Sequence, residues 1–354
     1  MATTGKEQAK RPAGGGLATA GATAGAPALS RLERASLKKS PGYFARSWRR
    51  FRHNTLSMVS MLVFVLIVCF SFGAPLVSKF VTHQDYATQD LQHHFAAPGD
   101  TVSTIIFGGP NGVEHVTYKH WLGTDELGRD VLTRLAFGGR ISMSVSFIAM
   151  ALALTIGIVI GAMSGFYGGV TDAVLMRLVD VFLSIPGLFL LILISSMINN
   201  NSLLANSAFF RNAGWLALPL VIASLSWTGI SRLIRGEVMS VKSRDYIDAA
   251  RVLGANDSRI IFRHILPNVL HVIIIWVTLV IPGLILLEAS LSYLGFGVQI
   301  PTPSWGNMLS NAQEYFTRAA YLVILPGVMI YITVLTVNLM GNGLRDALDP
   351  RLTD

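Results

Sequence analysis

Five of the eight histidines, His83, His93, His94, His115 and His120, fall in one polar stretch, close enough together to raise a metal site. Zinc demands ligands at a dedicated spacing, usually with cysteine among them, and the only cysteine, Cys69, sits in a distant apolar run. Solvated loop histidines are the expectation here, and Cys69 reads as a small buried hydrophobe. A nucleotide site would need G-x-x-x-x-G-K-[ST] after an apolar strand. The nearest look-alike, GTDELGRD at residues 123–130, has Arg129 in place of the lysine and no such strand before it. A proton- or ion-driven carrier would bury carboxylates at mid-membrane. The apolar segments instead hold few ionisable residues: Arg177 and Asp180, one turn apart on the third, with Glu288 at the outer end of the fifth. The first two read as an i,i+3 pair snorkelling to a helix end. No set of residues reads as catalytic, metal-ligating or cofactor-binding, so chemical energy has to come from another chain.

The remaining candidate does mechanical work. Residues 244–268, RDYIDAARVLGANDSRIIFRHILPN, are polar and helix-prone yet lie between two strongly hydrophobic segments. Ser243 or Asp245 is placed to cap a helix through Asp248, Ala249, Ala250 and Leu253, and Gly254 supplies the left-handed residue that ends it. Asn256 or Asp257 then caps a second short helix, and Pro267 suits the first turn of the next span, where a missing N–H costs nothing. The product is a helix-turn-helix elbow. Its two adjacent alanines beside Asp248 leave a low face against which another protein could press, and a rigid elbow would pass a push into both flanking helices. A plain amphipathic connector without a partner is the alternative.

The elements that position this elbow are membrane spans. Of 354 residues 52% are hydrophobic and 14% charged, outside the usual range of a soluble domain. Six stretches are long enough to cross about 30 Å of hydrocarbon: residues 56–77, 141–163, 174–197, 215–234, 269–287 and 319–340. Pro186, Pro219, Pro282 and Pro326 lie inside four of them and predict kinked helices. Gly157, Gly161 and Gly165 form a small-residue stripe on the second, which close packing explains. The formal charge of +8 is not a nucleic-acid signal, because the cations cluster beside the spans. With the N-terminus inside, the cytoplasmic segments hold 20 Lys and Arg and the outer ones 7, so both termini are expected in the cytoplasm of a multi-pass protein. Residues 1–30 are too poor in large apolar side chains to fold and read as a disordered tail. Residues 31–54 form a basic interfacial segment suited to anionic lipid headgroups, with the first span in 55–78. Residues 79–140 form an extracytoplasmic cap, residues 141–342 a core of five spans with the elbow at 235–267, and residues 343–354 a cytoplasmic end.

The stretch DAARVLGANDSRIIFRHILP resembles the EAA loop of ABC-importer permeases, whose pattern is E-A-A, three residues, G, nine residues, I-x-L-P. Asp248, Ala249, Ala250, Gly254, Leu266 and Pro267 match; Asp248 replaces the glutamate and His264 the isoleucine. HWLGTDELGRDVLTRLAFGGRISM, PSWGNML, GNGLRDALDPRL and the basic RRFRHNTLSMVSM are similar to stretches of the C-type permease subunit of dipeptide and oligopeptide importers, the peptide/nickel branch, over residues 45–354. The resemblance implies an all-α membrane protein of six transmembrane helices with the type I ABC importer permease fold, in the bacterial inner membrane. It implies a homologous B-type permease, two ABC ATPase subunits carrying the ATP and Mg, and an extracytoplasmic peptide-binding protein as partners. Asp248, Ala249, Ala250, Leu253, Gly254 and Pro267 would make the ATPase contact. A permease for nickel chelates or another small solute, an ATP-independent carrier and a membrane scaffold are the rival expectations.

Overall fold

The computed structural model describes residues 43–107, 113–200 and 214–348. The expected disordered tail, the first half of the basic segment and the last six residues lie outside this range. The chain divides into Met1–Tyr43, of which only Tyr43 is described, and Phe44–Asp354.

Helix α1 (Tyr43–His53) stacks Trp48 on Phe51 at 5.8 Å and buries Phe51, while Arg49, Arg50 and Arg52 are exposed. The Asn54 side chain accepts the Ser57 N–H at 3.2 Å and so starts α2 (Thr55–Phe72). Gly73 ends α2, and the chain turns through Ala74–Val77 and a wide turn at Ser78–Thr82. Cys69, expected to be buried, lies on the exposed apolar face of α2.

The segment after α2 adds one small hairpin to an otherwise helical chain. An antiparallel hairpin pairs β1 (Thr101–Phe107) with β2 (Val113–Lys119), Thr101 opposite Lys119 and Phe107 opposite Val113. The β-branched residues Val102, Thr104, Ile105, Ile106, Val116 and Thr117 favour this pleated pairing. Helix α3 (Val131–Tyr167) starts ten residues before the expected span, because the Asp130 carboxylate accepts the Thr133 N–H at 2.8 Å and nucleates it there. At about 1.5 Å per residue α3 is roughly 55 Å long, well beyond a bilayer core.

The expected third span is two helices, α4 (Gly169–Ser184) and α5 (Gly187–Asn199), bent by 86°. Pro186 disfavours the α conformation in the residue before it, and Ile185 is extended at φ −96° and ψ 134°. Helix α6 (Ala217–Lys242) carries Pro219 in its first turn, where it needs no kink. Helix α7 (Asp245–Val252) is followed by a helical turn at Asp257–Arg259, a wide π-turn at Ile260–Ile265, α8 (Leu266–Tyr293), α9 (Ala312–Arg318) and α10 (Tyr321–Leu348). Pro282 and Pro326 are internal to α8 and α10. By length and composition five helices among the described residues suffice to cross a membrane, and the bent α4–α5 pair makes a sixth if it counts as one span.

Helix α3 packs closely and extensively on α6. A Cβ on Gly157, Gly161 or Gly165 would come within 2.9 Å of the Trp227 carbonyl, 2.5 Å of the Ser231 carbonyl and 2.7 Å of the Arg235 carbonyl, respectively. The glycine stripe meets a matching stripe four residues apart on α6, which is the close approach that small residues permit. On the far side, fully buried Trp305 donates its indole N–H to the Leu135 carbonyl at 2.9 Å and its backbone N–H to Ser142 Oγ at 3.1 Å. Ser304 and Asn307 close that loop reciprocally, at 2.9 and 3.1 Å. The PSWGNML stretch is thus a structural latch on α3.

Candidate coupling surface

The elbow is held from below and bare on top. Ile247 of α7, with Ile260 and Ile265 of the turn that follows, is fully buried against Ile234, Val238 and Val241 of α6, Phe166 of α3, and Val269 and Ile273 of α8. Burying an isoleucine is worth about 1.5–3 kcal/mol, so three anchors at the two arms make the elbow a rigid extension of α6 and α8. Lys242 adds a hydrogen bond from its ammonium to the Phe166 carbonyl.

The corner between the arms is a Schellman motif. The Gly254 N–H bonds the Arg251 carbonyl at 2.9 Å and the Ala255 N–H bonds the Ala250 carbonyl at 3.0 Å, with Gly254 left-handed at φ +80°. Asn256 Oδ1 accepts the Arg259 N–H at 2.9 Å and caps the second arm as expected. The first arm differs from expectation. Arg244 occupies the N-cap position without a side-chain cap; Ser243 Oγ turns back to the Ser240 carbonyl at 3.1 Å, and Asp245 is already inside α7. Ser243 satisfies the end of α6 instead, since α6 runs to Lys242 and leaves its last carbonyls needing donors.

The second arm is likewise no separate short helix. From Asp257 to Tyr293 the chain is one continuous helical rod of 37 residues, and Pro267 sits in the first turn of its α8 part, as expected. A proline ring clashes with the carbonyl four residues back in a regular helix; the π-turn at Ile260–Ile265 widens the backbone at that place. The consequence is mechanical: the tip is joined to α8 without a flexible linker.

On the outer side Asp248, Ala249, Leu253, Gly254 and Pro267 are exposed and Ala250 is half-buried. Asp248 pairs locally with Arg251 at 3.0 Å. Two apolar residues absent from the sequence-based set belong to the same surface: Val252, 88% exposed beside Leu253 at 87%, and Phe262. The signal for them was available, because an apolar pair directly before a helix-ending glycine inside a polar segment has no core to enter.

The other ionisable residues also find places. Asp180 does not pair with Arg177; it binds Arg232 of α6. Asp172 takes Arg235 in a two-pronged bridge at 2.5 and 2.6 Å and accepts a hydrogen bond from Ser164. Arg177 is exposed on α4. The GTDELGRD loop folds on itself: Asp125 accepts the N–H groups of Leu127 and Arg129 and the Arg129 guanidinium at 2.7 Å, so no phosphate cradle exists there. His120, expected to be solvated, is buried with Nδ1 3.0 Å from Asp130, because the loop that follows β2 bonds back to the start of α3 through Val131 N–H to the Gly123 carbonyl.

Two family models match this chain: binding-protein-dependent transport system inner membrane component over residues 157–354, and N-terminal TM domain of oligopeptide transport permease C over residues 42–98. The chain is 35% identical to the oligopeptide transport system permease protein OppC of Bacillus subtilis over 315 residues, covering 89% of this chain and 92% of that one. It is 35% identical to the di/tripeptide transport system permease protein DppC of Pseudomonas aeruginosa, over 88% and 93% of the two chains. It is 36% identical to OppC of Escherichia coli K12, over 86% and 89%. Among solved structures, the methionine ABC transporter MetNI in an inward-facing conformation matches with a TM-score of 0.48 and 18% identity, over 61% of this chain and 96% of that one.

Proposed function

We propose, because the chain belongs to the family of binding-protein-dependent transport system inner membrane components, that it is the C-type permease subunit of an ATP-driven importer of di- or oligopeptides. It is a multi-pass protein of the bacterial inner membrane with no catalytic residue of its own. In this reading two ABC ATPase subunits, which bind ATP and Mg, close around its elbow and that of a homologous B-type permease, and a peptide-binding protein delivers substrate from outside. Both termini, the elbow and the ATPases lie in the cytoplasm, and the β1–β2 hairpin lies outside. The names of the relatives support peptide as the cargo.

One observation carries the coupling role. Val252 and Leu253 stand almost wholly bare at the tip while Ile247, Ile260 and Ile265 beneath them are completely buried. An apolar tip on a rigid base is costly in water unless a partner covers it. Asp248, Ala249, Ala250, Leu253 and Gly254 form the contact, and Pro267 transmits it to α8. The test is disulfide trapping in the assembled importer, with Cys69→Ser and Leu253→Cys in this chain and single cysteines on the ATPase. Capture of the ATPase, together with lost peptide uptake in Ala250→Arg, is expected. If no cysteine on any nucleotide-hydrolysing subunit is trapped, the coupling reading fails. Uptake of nickel but not of labelled dipeptide would overturn the cargo alone.

A further inference from the structure

Among the described residues, Arg177 on α4 is in no ion pair. Arg177 stands on an open, otherwise apolar face of α4 with Ala173, Val174, Leu178 and Val181. The two carboxylates of α4 are otherwise engaged, Asp172 with Arg235 and Asp180 with Arg232. Among the described residues no carboxylate lies within ion-pairing distance of Arg177. A bare guanidinium on an apolar helix face is disfavoured in hydrocarbon, so such a residue marks a surface that water or an anion reaches.

The backbone next to it leads to the same conclusion. One turn beyond Val181 the helix breaks, and Ser184, Ile185, Pro186 and Gly187 are all exposed. Broken backbone leaves N–H and C=O groups unpaired, which lipid tails cannot satisfy; it is tolerated only where protein or a watery cavity meets it. The face that bears Arg177 and the break is therefore not a lipid face.

Resting on the peptide-importer reading, we infer that Arg177 lies on the translocation path and receives the carboxylate of the passing peptide. The lining is otherwise apolar and makes no demand on side-chain identity, whereas every peptide with a free C-terminus carries one carboxylate. The guanidinium is a two-pronged donor suited to that group. Because Asp180 and Asp172 are already paired, nothing on this face attracts the peptide's amino end.

The test uses the complete importer, with its binding protein and ATPases, in proteoliposomes carrying Arg177→Cys in a Cys69→Ser background. Dipeptide uptake is expected to fall about tenfold, the order of one lost charge-assisted hydrogen bond. Aminoethyl methanethiosulfonate, which restores a cation, is expected to recover uptake to within about twofold, and the anionic sulfonatoethyl reagent to recover none. Excess dipeptide under turnover is expected to slow the modification. Uptake unchanged by Arg177→Cys, or recovered equally by both reagents, would overturn the inference. So would a loss of uptake that disappears when anionic lipid is left out of the vesicles, which would place Arg177 on a headgroup. Absence of dipeptide uptake by the unsubstituted importer would instead sink the peptide reading itself, and the inference with it.

Discussion

Gly161 and Gly254 are the residues that best show how one side chain, or its absence, sets what the surrounding structure can do. At Gly161 an added Cβ would meet the Ser231 carbonyl at 2.5 Å and Ile234 at 2.9 Å, so Gly161→Val must push α3 off α6. Overpacking of this kind costs about 1–3 kcal/mol or more, and the purified protein should show a clearly lower thermal midpoint in detergent, whereas Ser231→Ala should not. Gly254 is different, since nothing lies within 4 Å of its missing Cβ and only its φ of +80° restricts it. Gly254→Ala should therefore cost about 1–2 kcal/mol, confined to the end of α7. Gly254→Pro is more severe, because proline cannot reach a positive φ and lacks the N–H that bonds Arg251. Peptide uptake should be abolished while the protein still accumulates in the membrane, and normal uptake by this variant would count against the elbow's role.

Two interruptions, both caused by proline, decide what the helices do as elements. At Pro186 the break is complete, and α4 and α5 diverge by 86°. At Pro267 the same ring is accommodated by the π-turn ahead of it, and the rod from Asp257 to Tyr293 stays continuous. The difference is one of surroundings. Ile260 and Ile265 are buried on both sides of the π-turn and hold it closed, whereas residues 184–187 have no such anchors. Accordingly Ile260→Ala should loosen the elbow by about 2–4 kcal/mol, which hydrogen exchange would report as faster exchange in residues 245–260 with the rest of α8 unaffected. Transport should then fall faster than ATP hydrolysis, since a slack lever wastes strokes.

For the molecule as a whole, orientation is the testable property. The proposed orientation, with the elbow inside and the hairpin outside, assigns 20 of the 28 Lys and Arg to the cytoplasmic side, as the positive-inside rule asks. In intact cells or spheroplasts lacking Cys69, a membrane-impermeant maleimide should label Thr117→Cys on exposed β2 directly, and Val252→Cys at the tip only after permeabilisation. Labelling in the reverse order would invert the topology and remove the elbow from any cytoplasmic ATPase.

Spans, charge bias and the helix-glycine-helix pattern of the elbow are legible in the sequence because each depends on residues close together along the chain. Hydrophobic length, adjacent cations, and a glycine followed by a capping asparagine need no knowledge of neighbours. Which carboxylate meets which arginine is of another kind. Asp180 lies three residues from Arg177 yet binds Arg232, fifty-two positions away, because the packing of α4 against α6 brings that guanidinium closer. The burial of His120 and the different fates of Pro186 and Pro267 likewise depend on what the rest of the fold places beside them. Short-range chemistry fixes where the chain enters the membrane and where it bends outward. Only the packed bundle determines which groups are neutralised, which are anchored and which are left free to act on something else.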